Sequence, residues 1–174
     1  MIATMANETS MIRNPKIPDA RIIHARNDSC GVLASGVFDL LHLGHVRFLE
    51  EAKRAGGESA KLVVIIARDS TVEKSKGRKP IMSEDQRRAL VWSLKVVDEA
   101  VLGYENLEIG EVIGETKPDV IALGYDQADV ERDVKNYVTK NKLPVEVVRI
   151  GKFAENALDR SSKIKQKIID KLSK

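Results

Sequence analysis

Two of the three histidines, His42 and His45, stand three residues apart with Gly44 between them, in the stretch Gly36-Val37-Phe38-Asp39-Leu40-Leu41-His42-Leu43-Gly44-His45. A short apolar run, residues 31–37, leads into this stretch, and a helical pattern over residues 42–55 leads out of it. A helix start leaves backbone N–H groups without intrahelical partners and carries the positive end of the helix dipole. Such a start seats phosphate. Side chains at i and i+3 project from one side of the first turn, and Gly44 lets a phosphate come close to the backbone. Imidazoles beside triphosphate oxygens can donate hydrogen bonds as charge builds on the α-phosphate and the leaving pyrophosphate. Phosphorus-centred transfer asks mainly for that electrostatic help, so neither histidine has to be a nucleophile. The same pair also suits a metal, but no third strong ligand sits at a telling spacing. His24 has no motif around it.

A seat of this kind needs a strand to deliver the turn and a sheet to hold the strand. The first helical pattern sets Val46, Leu49 and Ala52 along one face and stops at Gly56-Gly57. Residues 61–67 include Val63, Val64, Ile65 and Ile66, a run suited to a strand buried on both faces. Residues 70–80 read as a polar, basic loop. Ser83 and Gln86 form a capping-box pattern at the head of a helix over 83–94, with Leu90, Val91 and Leu94 on its inner face and Trp92 as packing. Further strands are expected at 100–102, 120–123 and 145–150. Further helices are expected at 107–115, 127–141 and 161–172. This alternation predicts an α/β fold, a Rossmann-like doubly wound parallel sheet of about five strands with helices on both faces. Ligands of such sheets gather beyond the carboxyl ends of the strands. The polar signals fall there: residues 36–45, Arg68-Asp69, and Gly124-Tyr125-Asp126.

The bulk properties limit the partners. At 174 residues the chain suits one domain, here residues 29–174, preceded by an extension over 1–28 that holds Pro15 and Pro18. Aromatics are only 4%, too few for an open stacking surface, and the net charge of +3 is mild, so no dedicated nucleic-acid partner is expected. Cys30 is the sole cysteine, which rules out an intrachain disulfide and fits a reducing, cytoplasmic setting. The longest apolar run, residues 62–67, is far too short to cross a bilayer, and no membrane partner is expected.

The ten-residue stretch, with its His-x-Gly-His ending, resembles the nucleotidylyltransferase superfamily, and Gly-x-Phe-Asp-Leu-Leu-His resembles its cytidylyltransferase-like branch. The resemblance runs from about Gly31 to Ile168. It implies a nucleoside triphosphate substrate, a divalent cation such as Mg²⁺ held mainly by the triphosphate, and release of pyrophosphate. It implies catalytic roles for His42, His45 and Lys76, the last in a Lys76-Gly77-Arg78-Lys79 loop that brings a mobile lysine to the triphosphate. Gly36, Val37, Phe38, Asp39, Gly44 and Asp69 are expected around the nucleotide, with Gly124, Tyr125 and Asp126 at its base and ribose. Ser161 and Ser162 open the last helix as triphosphate ligands. Arg87 and Arg88 are expected at the acceptor's phosphate. Each position also has a plainer reading. Asp39, Asp69, Asp126 and Ser161 suit turns or helix caps, and the basic loop suits a solvated surface.

Within the superfamily, Ala67-Arg68-Asp69-Ser70-Thr71, Lys76-Gly77-Arg78-Lys79-Pro80-Ile81 and Leu123-Gly124-Tyr125-Asp126-Gln127 are similar to the archaeal FAD synthase group. That resemblance implies AMP transfer from ATP to FMN, giving FAD and pyrophosphate, by a homodimer. The chain departs from that group in lacking late cysteines. It departs from the cytidylyltransferase pattern at Asn156-Ala157-Leu158-Asp159, where Arg-Thr-x-Gly-Ile is expected. Two alternatives stand beside this one. The first is an ATP- or CTP-dependent transferase for another phosphorylated acceptor, such as glycerol 3-phosphate. The second is a non-catalytic nucleotide-binding module.

Overall fold

Strand residues of this chain alternate between two apolar cores, and that alternation fixes the architecture. The computed structural model describes residues 29–105, 109–153 and 160–173. The chain runs β1 (Gly31–Gly36), α1 (Leu43–Ala55), β2 (Lys61–Ile66), α2 (Asp69–Lys76), α3 (Glu84–Trp92), β3 (Glu99–Leu102), α4 (Ile109–Thr116), β4 (Val120–Gly124), α5 (Ala128–Lys140), β5 (Glu146–Ile150) and α6 (Ser161–Leu172). The five strands form one parallel sheet in the order β3-β2-β1-β4-β5, with Ala34 of β1 facing Val64 of β2 and Ala122 of β4.

Side chains two apart on a strand share a face. Val32, Ala34, Leu62, Val64, Ile66, Ala100, Leu102, Val120 and Ala122 build one core, with Leu49 and Ala52 of α1 and Val91 of α3. Leu33, Val63, Ile65, Val101, Ile121 and Leu123 build the other, with Val112 and Ile113 of α4 and Val134 of α5. Parallel crossovers are right-handed. Moving outward from β1 to β3 therefore lays α1 and α3 on one face, and crossing back to β4 and β5 lays α4 and α5 on the other. The strand order reverses between β1 and β4, which opens the crevice where doubly wound sheets take ligands. Among the described residues, no helix is long and apolar enough to cross a membrane.

The expected α/β architecture is observed, with three local differences. Residues 70–76 of the expected basic loop belong to α2 instead. Its single buried residue, Val72, docks it, and Gly77 closes it in the left-handed conformation at φ 66°. On α3 the inner face is shifted. Val91 is buried as expected, but Leu90 and Trp92 are 41% and 58% exposed, and Arg87 and Arg88 occupy buried positions in their place. Gly56 ends α1 for want of space, since a Cβ there would lie 2.4 Å from Val32 Cγ2, while the positive φ of 87° falls at Gly57. The extension over 1–28, the expected helix start at Leu107, and residues 156–159 lie outside the described residues.

Leu49 is fully buried between α1 and the sheet. Leu49→Ala is expected to lower unfolding free energy by about 2–5 kcal/mol, read as a drop in the urea midpoint with an unchanged slope.

Candidate active site

The turn between β1 and α1 is strained and tightly held. Gly36 has room for no side chain, because a Cβ would stand 2.8 Å from the Phe38 ring. Phe38 and Leu40 both take left-handed backbone conformations, at φ 53° and 54°. Left-handed non-glycine residues cost about 1–3 kcal/mol each and persist only where the surroundings over-determine them. Here Phe38 is buried, its ring centroid 5.2 Å from that of His45. The Asp39 carboxylate accepts hydrogen bonds from the backbone N–H groups of Ile81 (3.0 Å) and Met82 (3.1 Å) on one oxygen, and from Lys165 Nζ (2.7 Å) on the other. Burial alone would raise the Asp39 pKa, but Lys165 and the two N–H groups outweigh it and hold the group ionised below its ordinary range.

The histidines follow directly. His42 is the N-cap of α1, and this helix start has neither a side-chain cap nor an acidic residue in its first turn. The two imidazole rings stack, with centroids 3.7 Å apart and planes 20° from parallel. His45 Nδ1 is buried without a hydrogen-bond partner. Burial, reinforced by His42 and Lys76 and opposed by Asp39, pushes the His45 pKa down to about 3. A neutral imidazole offers one donor and one acceptor, so His45 has an N–H to donate to an anion in the cleft.

A cleft of about 720 Å³ opens beyond the carboxyl ends of the strands. That size suits a small-molecule site. His42, Gly44 and His45 line it with Lys76, which sits on the last turn of α2 rather than in a loop. Gly36, Val37, Phe38 and Asp39 line it from the β1–α1 turn, and Ser161 and Ser162 from the start of α6. Like α1, α6 begins without a side-chain cap and without an acidic residue in its first turn. The Ser161 hydroxyl donates to the Asp39 carbonyl oxygen, while Ser162 stays exposed.

Gly124, Tyr125 and Asp126 line the cleft past β4, where the guanidinium of Arg160 lies 5.6 Å from the Tyr125 ring centroid. Gln127 joins them. Its side-chain oxygen accepts from the Gly124 N–H at 2.6 Å, and its amide nitrogen approaches the Ser35 carbonyl at 3.5 Å, bridging β4 and β1 where the strand order reverses. Gln127 and Lys165 are cleft residues that the sequence reading did not single out. Gln127 closes a named motif but carries no expected role there, whereas Lys165 is one of several lysines of α6.

The structure does not bring Asp69, Arg87 or Arg88 to the cleft. Arg87, expected at the acceptor phosphate, is fully buried. It donates to the carbonyl oxygens of Val37 (2.5 Å), Ala67 (2.7 Å) and Met82 (3.2 Å) and to Asp69 Oδ1 (2.6 Å). Asp69 is taken up by that pair and by an exchange with Glu84, in which the N–H of each residue donates to the carboxylate of the other. Arg88 is 5% exposed and does not line the cleft, and its Nε is unpartnered. Arg87 thus laces the ends of β1 and β2 to the turn before α3.

Two outcomes follow. Arg87→Met is expected to lower stability by at least about 2 kcal/mol, since several oxygens lose their donor, and a denaturant titration checks it. For His45 the unfolded chain titrates near 6.5 and the fold near 3. Between those values the unfolded chain holds the extra proton, so stability falls as pH drops through that window. His45→Gln removes this contribution, and the fall of Tm from about pH 7 to about pH 4 should be shallower than in the parent protein.

Residues 33–167 match the Cytidylyltransferase-like family. A protein named FAD synthase from Aciduliprofundum boonei is 48% identical over 141 residues, covering 81% of this chain and 91% of that protein. A protein of the same name from Methanobrevibacter smithii is 48% identical over 137 residues, covering 79% and 89%. The crystal structure of the lipopolysaccharide core biosynthesis protein from Thermoplasma volcanium GSS1 superimposes with a TM-score of 0.62 at 47% identity, covering 70% of this chain and 96% of that one. With the strand–turn–helix seat, the stacked histidines and the five-stranded parallel sheet in place, the chain belongs to the cytidylyltransferase-like family of nucleotidyltransferases.

Proposed function

We propose that this protein transfers AMP from ATP to FMN, forming FAD and releasing pyrophosphate. The observation that carries the reading is the meeting of two helix starts, α1 and α6, in one cleft with the stacked His42–His45 pair. Both starts are free of side-chain caps and of acidic residues, so each presents unopposed positive potential to phosphate. The choice of ATP and FMN follows from the relatives named FAD synthase, which this chain matches at up to 48% identity over most of its length.

In this reading an FMN phosphate oxygen attacks the α-phosphorus of ATP in line. The bond from that phosphorus to the bridging oxygen breaks, and pyrophosphate leaves with the electron pair. His42 and His45 donate hydrogen bonds to the oxygens where charge builds, and Lys76 neutralises the leaving group. Gly44 and the α1 start hold the phosphates. Gly124, Tyr125, Asp126 and Gln127 hold the adenosine, where the absence of a side chain on Gly124 leaves room for approach. Asp39, whose carboxylate is already committed to three donors, shapes the seat rather than touching substrate.

Among the described residues, no three or more His, Cys, Asp and Glu gather to hold a metal. In this reading a Mg²⁺ ion would ride chiefly on the phosphate oxygens, where it would neutralise charge.

Pyrophosphate release is expected from ATP with FMN, together with FAD, and not from CTP with glycerol 3-phosphate. The reverse pattern would move the protein to the alternative acceptor class. His45→Ala is expected to reduce kcat by about 10²–10³ or more with little loss of fold. Lys76→Ala is expected to lower kcat more than it raises the KM for ATP. A change in KM alone would leave Lys76 with only uniform binding.

A further inference from the structure

Lys165 has no part in the motif that names the family, yet it makes the longest-range contact at the site. It lies on the second turn of α6, its side chain 21% exposed, and its Nζ meets Asp39 Oδ2 at 2.7 Å, an oxygen 126 residues away in sequence. Asp39 uses its other oxygen to hold the N–H groups of Ile81 and Met82, and its backbone carbonyl to receive Ser161. Met82 is held from its other side as well, since its carbonyl accepts from Arg87 Nε. Residues 77–80 therefore span from the left-handed cap of α2 at Gly77 to a fixed point at Asp39, carrying Arg78 and Lys79 along the cleft. One ion pair joins three parts of the phosphate seat: the β1–α1 turn, the basic segment, and the start of α6.

We propose that Lys165 is a positioning residue: through Asp39 it locks the start of α6 and residues 77–80 in a single arrangement around the phosphates. This rests on the nucleotidyl-transfer reading for its effect on turnover, but not for its effect on structure. An arrangement fixed before substrate arrives costs nothing at the moment of reaction, and loosening it by about 1 Å can cost as much as a hundredfold in rate. A lysine that merely contacted triphosphate would act on ATP binding instead.

The test uses the full chain with Lys165→Met, Lys165→Arg, Asp39→Asn and the Lys165→Met/Asp39→Asn double variant. Asparagine keeps an oxygen for Ile81 and Met82 but loses the charge that holds Lys165. Two readouts are taken: kcat and KM with ATP and FMN, and the rate at which trypsin cuts between Arg78 and Lys79, followed by mass. The proposal expects Lys165→Met and Asp39→Asn each to lower kcat about ten- to a hundredfold with the KM for FMN little changed. It expects the double variant to be no worse than the poorer single one, because both break the same pair. It expects Lys165→Arg to restore most of the rate. Trypsin should cut the Arg78–Lys79 bond faster in both charge-removing variants and near the parent rate in Lys165→Arg. Losses that multiply in the double variant, a rise in the KM for ATP with kcat preserved, or an unchanged cutting rate would each overturn it. If the parent protein does not turn over ATP with FMN, the functional reading falls, and the trypsin result alone still decides this proposal.

Discussion

The cleft depends on one buried carboxylate. Asp39 sits in a turn whose neighbours, Phe38 and Leu40, are both left-handed, a shape that isolated peptide sequence would not keep. Three donors from two distant segments hold its side chain, and a fourth, the Ser161 hydroxyl, holds its carbonyl. Arg87 works from the other side of the same turn by gripping Val37. The strain is thus maintained by contacts spanning the chain from β1 to α6, and the first turn of α1 is aimed by them. A buried charge is costly when unpaired. Its full satisfaction here explains how a strained loop and a charged side chain coexist at the heart of the site.

The electrostatics of the helix starts sort the site from the scaffold. The start of α3 is filled by its own sequence: Ser83 caps the N–H of Gln86, and Glu84 and Asp85 lie in the first turn. The start of α2 carries Asp69, held by Arg87 and exchanged with Glu84. Those two starts are neutralised internally. The starts of α1 and α6 are left without acids and without side-chain caps, and both face the cleft beside the histidines. His45 is kept neutral chiefly by burial, which avoids packing another cation beside Lys76.

The parts legible in the sequence were those with a local signature. Strands buried on both faces read as continuous apolar runs, and β1, β2 and β4 fall close to where those runs predict them. The β1–α1 turn was legible because strand, glycine, turn and helix start are contiguous. α2 was missed because its pattern is almost wholly polar, and a single buried valine carries its docking. The burial of Arg87 and Arg88 has no signature in the sequence, because long charged side chains are ordinarily outside, whereas here a ring of carbonyl oxygens makes burial possible for Arg87. The displacement of Leu90 and Trp92 to the surface is the other side of that exchange. The pairing of Asp39 with Lys165 has no local trace, since it is made by tertiary approach alone.

The central claim is that the histidines stabilise charge during one direct displacement at phosphorus. The stereochemical course at that atom tests it most directly. ATP made chiral at the α-phosphorus by isotopic or sulfur substitution is turned over with FMN, and the configuration in the product FAD is determined. A single in-line attack inverts the phosphorus, and inversion is the predicted result. Retention would mean two displacements through a covalent intermediate on the protein, with a histidine as nucleophile, and would contradict the account.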